Sequence, residues 1–172
     1  MTAGHHGIRL RPARQDDIPA MVALQRATWE AALVELLPEP LESEADEWEA
    51  RLGEALATEG VEALLAHTAT GLAGLVVLGA NRDIDPAPGT GEIRALFVSA
   101  EQWRTGVGRA LVAGALERLA AMEYARASLW SLRDNGRANL FYERLGFRRD
   151  GATQSRSPGV PEVRYAREIA SR

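Results

Sequence analysis

The sequence predicts a mixed α/β domain, with a sheet packed between helices. Three observations carry this. Apolar runs of strand length dominate the middle of the chain, stretches of helical periodicity interrupt them, and the element order reads β-α-α-β-β-β-α-β-α-β-β. The chain has 172 residues, 46% of them hydrophobic, so one domain spanning 1–172 with a sizeable core is expected. Residues 1–7 (MTAGHHG) read as a disordered N-terminal tail.

Ile8 to Arg11 alternates apolar and charged residues and reads as the first strand. In the helix that follows, Asp16 or Asp17 can cap and Pro19 fits a first turn. Ile18, Met21, Val22, Gln25 and Trp29 share one face of it. Pro38 and Pro40 break the chain. Ser43 can cap a second helix in which Trp48, Leu52, Ala55 and Leu56 lie together. Two apolar runs flank Thr70-Gly71 and predict a hairpin. NRDIDPAPGTG is a loop by composition, and GEIRALFVS is a strand. The next stretch opens with glycines and continues as a helix, with Val107, Leu111, Ala115, Leu119 and Met122 on its buried face. RASLWSL is a strand. Asn135 to Leu145 is a helix with Gly146 just past its end. Closing strands are expected from Phe147 onward and at Val163 to Ala166.

Composition removes several kinds of chemistry. Cysteine is absent, which excludes disulfides, thiolate metal sites and a cysteine nucleophile. All 20 basic residues are arginine, so neither a Walker-type phosphate loop nor a lysine Schiff base is available. His5, His6 and His67 have no companions at ligand spacing, and no metal is expected. A net charge of −4 without a basic stripe argues against a nucleic-acid partner. No apolar run approaches the roughly 20 residues of a membrane span, and no leader pattern opens the chain, so no membrane partner and a cytoplasmic location are expected.

The most informative stretch runs from Leu96, Phe97 and Val98 through Trp103, Arg104, Thr105, Gly106, Val107, Gly108 and Arg109 to Leu111. It reads strand, turn, glycine pair, helix. A helix N-terminus offers unpaired N–H groups and the positive end of its dipole. Glycines let a phosphate approach the backbone, so the stretch suits a pyrophosphate. A Gly-x-Gly alone also fits a helix that merely begins with glycines. A dinucleotide-binding fingerprint is disfavoured, because Leu111 stands at its third small position and several strands precede it.

One helix and one strand downstream comes N-x-x-A-x-x-F-Y-E-x-L-G-F, from Asn135 to Phe147. This pattern resembles the second signature of the GCN5-related N-acetyltransferases (GNAT), and GVGRALV after Phe97-Val98 resembles the first. The two occur in the family's order and separation. The resemblance is strongest from Glu92 to Phe147 and fits the element order of nearly the whole chain. It implies a mixed, mostly antiparallel sheet of six to seven strands, flanked by about four helices, with splayed central strands. It also implies acetyl-CoA as co-substrate, with its pantetheine arm between the strand of Leu96, Phe97 and Val98 and the strand from Ser128 to Leu132. The amides from Trp103 to Arg109 would hold the pyrophosphate. Asn135 would contact the arm, Phe141 and Tyr142 would line it, and Arg144 either reaches the ribose phosphate or belongs to a solvated helix face. The chain departs from the family at Trp103, where Gln or Arg is usual; Arg104 or the Thr105 hydroxyl is the expected compensation.

Acetyl transfer to an amine needs a proton acceptor, an oxyanion donor and a proton for the thiolate. The resemblance assigns thiolate protonation to Tyr142, whose other reading is a core aromatic. Glu92 is either the general base, acting through one water, or an exposed charge at a strand end. The Val98 N–H is the expected oxyanion donor. The resemblance thus implies an N-acetyltransferase working by direct attack in a ternary complex, with a small-molecule or peptide amine as acceptor. The alternative is a non-catalytic acyl-CoA-binding module of the same fold. Near the N-terminal helices Glu30, Glu35, Glu39, Glu42 and Glu44 form either an acidic rim for a cationic amine or an ordinary solvated face. A homodimer through a sheet edge is also implied, with RSPGVPEVRYARE as the edge strand.

Overall fold

A computed structural model of the chain describes residues 7–32, 36, 45–157 and 159–169. Among these residues there are seven strands: β1 (Arg9–Pro12), β2 (Val61–Thr68), β3 (Gly71–Ala80), β4 (Thr90–Val98), β5 (Arg126–Leu132), β6 (Arg148–Ser157) and β7 (Val160–Glu168). The α-helices are α1 (Ile18–Ala32), α2 (Ala45–Ala57), α3 (Val107–Ala121) and α4 (Gly136–Arg144). The element order is the expected one. The strands form one sheet in the order β1-β2-β3-β4-β5-β7-β6. Every neighbouring pair is antiparallel except β4 and β5, which are parallel and are joined through α3.

Both faces of the sheet's central strands are buried, which explains the unbroken apolar run of β3. Val76 and Leu78 face a core that includes Leu111, Ala115 and Leu119 of α3, together with Ile93, Leu129, Phe147 and Tyr165. Their neighbours Leu75 and Val77 face the opposite way, onto Met21 and Leu24 of α1 and Leu52 and Leu56 of α2. Helix α3 approaches the sheet closely because glycines line the contact. A Cβ on Gly74 would lie 2.8 Å from Leu111 Cδ1 and 2.9 Å from the Phe97 carbonyl, and one on Gly91 would lie 2.6 Å from Leu119 Cδ2.

Several local expectations are corrected. A 3₁₀ turn, Gln15–Asp17, precedes α1 with Arg14 as its N-cap, so Asp17 is not the N-cap residue but caps from the N3 place of a capping box. Its carboxylate accepts from the Arg14 N–H at 2.8 Å and takes both arms of Arg11 at 2.8 and 2.7 Å. The buried face of α1 contains Leu24 and Thr28, whereas Gln25 is half-buried. Met122 caps the C-terminus of α3 and is only half-buried. β7 pairs with both β5 and β6, so the C-terminal strand lies inside the sheet and β6 forms the edge. Residues 1–6, Pro38, Pro40 and the expected cap Ser43 lie outside the described residues.

Two outcomes follow from this packing. Gly74→Ala forces a methyl group against α3 and β4 and should cost about 2 kcal/mol, measured by denaturant unfolding. Arg11 holds the Asp17 carboxyl down at about 2. Because the folded value lies below the unfolded one, this stabilisation is present above about pH 4 and is lost as pH falls through about 2. Asp17→Asn should therefore flatten the acid limb of the stability curve between those limits.

Candidate active site

β4 and β5 pair only at their feet. Thr90 stands opposite Arg126, Gly91 opposite Ala127 and Glu92 opposite Ser128, and beyond that the strands part. A β-bulge marks the parting. Val77 pairs with Ala95 and Leu78 with Ile93, which leaves Arg94 as the extra residue of β4. The bulge reverses the side-chain alternation. Ile93, Leu96 and Val98 join the α3 side, while Ala95 and Phe97 join the α1 side.

The register shows which backbone groups face the gap. The Ser99 N–H donates to the Ala73 carbonyl at 2.9 Å, and Val98 stands opposite Gly74. Val98 and Leu96 are thus at non-bonded positions toward β3 and turn their N–H and C=O groups toward β5. Phe97 does the reverse: its backbone faces β3 and only its ring borders the α1 side. On the other strand, the Arg133 N–H donates to Pro161 O at 2.9 Å, and Leu132 stands opposite Glu162. By the same alternation Trp130 and Leu132 turn toward β4. The gap is therefore a wedge lined with main-chain groups that lack strand partners. An inserted chain bearing amides can pair with them.

At the top of β4 the chain turns through Ala100–Gln102 into α3. Arg104 adopts φ 66° and Gly106 φ 97°, left-handed conformations that bend the backbone into a concave loop. The exposed Thr105 folds back on the turn, its hydroxyl donating to Gln102 O at 2.7 Å. The N–H groups of Arg104, Gly106, Val107, Gly108 and Arg109 have no acceptor among the described residues. Gathered at the N-terminus of a 15-residue helix, they form an anion cradle. Gly108 keeps it narrow, since a Cβ there would lie 3.1 Å from Phe141 Cζ. The Trp103 indole turns back and donates from Nε1 to the Val98 carbonyl at 2.9 Å.

Helix α4 closes the α3 side of the wedge. Asn135 is its N-cap, with Oδ1 accepting from the Ala138 N–H at 3.2 Å. That contact leaves the Asn135 Nδ2 without an acceptor among the described residues. Asn139, which the sequence did not mark, is buried. It accepts from Ser131 Oγ and donates to the carbonyls of Leu132 and Arg133, fastening α4 to the end of β5. Only its helical position facing β5 could have signalled this role. Phe141 and Tyr142 pack into the same core as Leu96 and Val98. The Tyr142 ring lies 5.3 Å from Phe141 and 6.0 Å from Phe147. Its hydroxyl makes no hydrogen bond among the described residues, and burial pushes the phenol up to about 12.

Glu92 lies at the foot of the wedge and is 3% exposed, so it is not a solvated charge at a strand end. Its Oε2 accepts from the Arg82 N–H at 3.1 Å and from Arg82 Nε at 2.9 Å, and its Oε1 accepts from Arg82 Nη2 at 2.7 Å. No sequence pattern marks Arg82, because this partner comes from the β3–β4 loop. Arg94, the bulge residue, donates to Ala80 O at 2.7 Å, and its buried Nε has no partner. On the α1 side, Trp29 packs 6.0 Å from Trp48, and Glu30 is exposed. Glu35, Glu39, Glu42 and Glu44 lie outside the described residues.

A model of the acetyltransferase (GNAT) family matches residues 20–147. A mycothiol acetyltransferase of Kocuria rhizophila is 40% identical over 63 residues, which are 37% of this chain and 21% of that protein. The chain thus matches about a fifth of that relative's length. Among solved structures, the PaiA N-acetyltransferase of Thermoplasma acidophilum in complex with coenzyme A aligns with a TM-score of 0.73 at 15% identity, covering 94% of this chain and 98% of that one. A GCN5-related N-acetyltransferase from Kribbella flavida aligns with a TM-score of 0.74 at 21% identity, covering 96% and 100%. These two likenesses establish the fold.

The environment of Tyr142 has a direct spectroscopic consequence. Alkaline difference spectra should show one phenol ionising near pH 12 that disappears in Tyr142→Phe. Its folded value is raised, so the associated stability is present below about pH 10 and is lost as pH rises toward 12.

Proposed function

The chain belongs to the GNAT acetyltransferase family, and we propose that it transfers an acetyl group from acetyl-CoA to a primary amine by direct attack in a ternary complex. One observation carries the reading: the wedge between β4 and β5 opens directly onto the amide cradle of α3, with an unpaired phenol beside it. The unpaired groups of Leu96 and Trp130 suit the amides of a pantetheine arm, and the free amides of Arg104 and of Gly106 to Arg109 suit its diphosphate. The free Nδ2 of Asn135 faces the same task from α4.

The chemistry then assigns roles to the chain's own groups. The amine nitrogen attacks the thioester carbonyl carbon, and the C–S bond breaks. The Val98 N–H, turned into the wedge, donates to the developing oxyanion. Tyr142 gives its proton to the departing thiolate, and its raised pKa keeps that proton in place throughout the neutral range. Glu92 takes the amine proton through a water. Its Oε1 accepts one hydrogen bond from Arg82, which leaves a lone pair for that water. Arg82 is a positioning residue that fixes the carboxylate.

Free-thiol release from acetyl-CoA across amino acids, polyamines, aminoglycosides and peptide N-termini tests the reading and identifies the acceptor class. Tyr142→Phe should lower kcat by about 10²-fold or more while CoA binding persists. Glu92→Gln should lower kcat/KM by a similar factor. Tight CoA binding without thiol release on any amine would favour the non-catalytic acyl-CoA-binding module.

A further inference from the structure

Trp103 stands where the family resemblance leads one to expect Gln or Arg, with Arg104 and the Thr105 hydroxyl as its neighbours in the turn. The Thr105 hydroxyl is committed to Gln102 O. Arg104 is exposed, and no described contact holds its side chain. What the indole does instead is specific. Its Nε1–H is anchored on the Val98 carbonyl at 2.9 Å, at the lip of the wedge. Over its face lies the guanidinium of Arg137, with Cζ 3.5 Å from the ring centroid.

Arg137 belongs to the first turn of α4 and is exposed, so its stack on Trp103 joins α4 to the turn before α3. It has no carboxylate partner among the described residues, unlike Arg11, Arg82, Arg118 and Arg164, which are all ion-paired. An arginine stacked flat on an indole keeps its in-plane N–H donors free at the edge, so the stack fixes the cation without using its hydrogen bonds. The indole itself belongs to the turn whose amides at 104 and 106–109 are unpaired. A preorganised cation therefore borders a neutral anion cradle.

We propose that Arg137, held on the Trp103 indole, is a diphosphate-binding residue for the CoA donor, replacing from α4 the side chain that the α3 turn lacks at position 103. The inference rests on the CoA-dependent reading above and adds a specific residue pair to it. Three features favour the diphosphate over the arm: the charge of the guanidinium, its free edge donors, and its stacking on a residue of the cradle turn. Stacking restricts the side chain beforehand and reduces the entropy lost on binding, a cost that the exposed, unstacked Arg104 and Arg109 would bear in full.

Calorimetric titration can test this with three probes: CoA, dephospho-CoA (which keeps the diphosphate but lacks the 3′-phosphate) and pantetheine, which has neither. Arg137→Ala should weaken CoA and dephospho-CoA alike, by about tenfold or more, and leave pantetheine within about twofold. The salt dependence of CoA binding should become shallower in the same variant. Trp103→Ala should weaken CoA in the same direction, and the double variant should be no weaker than the worse single one. Arg104→Ala should have the smaller effect. Because Trp103→Ala can also disturb the β4 lip, Arg137→Lys provides an independent check: it keeps the charge but loses the planar stack, and should recover only part of the affinity. Unchanged CoA binding in Arg137→Ala would overturn the proposal. So would an equal loss for pantetheine, or a loss confined to CoA, which would place the contact at the 3′-phosphate. If wild-type protein bound no CoA, the donor reading itself would fall, an outcome distinct from any of these.

Discussion

The parting of β4 and β5 is the constraint on which the rest of the site depends. Two parallel strands that stayed paired to their ends would satisfy each other's backbone groups and leave no room for an arm to enter. Here pairing stops after Glu92 and Ser128, and the Arg94 bulge turns β4 away. The cost of unpaired main-chain groups is limited because each strand remains bonded on its outer side, β4 to β3 and β5 to β7. The opening is thus held by the remainder of the sheet.

Close packing keeps it in that state. Helix α3 both joins the two strands and presents its N-terminus at the top of the gap. It can lie close enough because Gly74 and Gly91 present no side chains to Leu111 and Leu119. On the far strand, Asn139 ties α4 to the last residues of β5. The opposite face is braced by polar contacts. Asp83 of the β3–β4 loop accepts from Trp130 Nε1 at 2.9 Å and pairs with Arg164 at 2.6 Å, and Arg164 also pairs with Asp150 at 2.7 Å. Charge-assisted contacts of this kind fix geometry as much as they add stability. The same loop delivers Arg82 to Glu92, so its folding and the placement of that carboxylate are linked.

Much of this was legible in the sequence, for identifiable reasons. Period-2 and period-3.6 patterns marked the elements in order, and the glycine at position 106 marked the turn that needs a positive φ. Errors arose where a tertiary partner outweighed local chemistry. Asp17 looked like the N-cap residue, but it caps from the third position of a 3₁₀ turn, onto the Arg14 N–H, and shares its carboxylate with Arg11. For Glu92 the sequence allowed either a general base or an exposed strand-end charge; its burial removes the second, and Arg82 compensates that burial from a loop that carries no pattern. The C-terminal strand was the expected edge, but order along the chain does not set order in the sheet, and β7 lies between β5 and β6.

By itself the sequence determined the element order, the amide-rich turn before α3 and the positions of Asn135 and Tyr142, because each of these is encoded by local spacing. The tertiary structure decided which main-chain groups are unpaired, since that depends on registers between strands far apart in sequence. It also decided the surroundings of the charges and of the phenol. The raised pKa of Tyr142, the clamp of Arg82 on Glu92 and the stacking of Arg137 on Trp103 each require two or more elements to meet. Burial and pairing are properties of that meeting, and a one-dimensional pattern does not contain them.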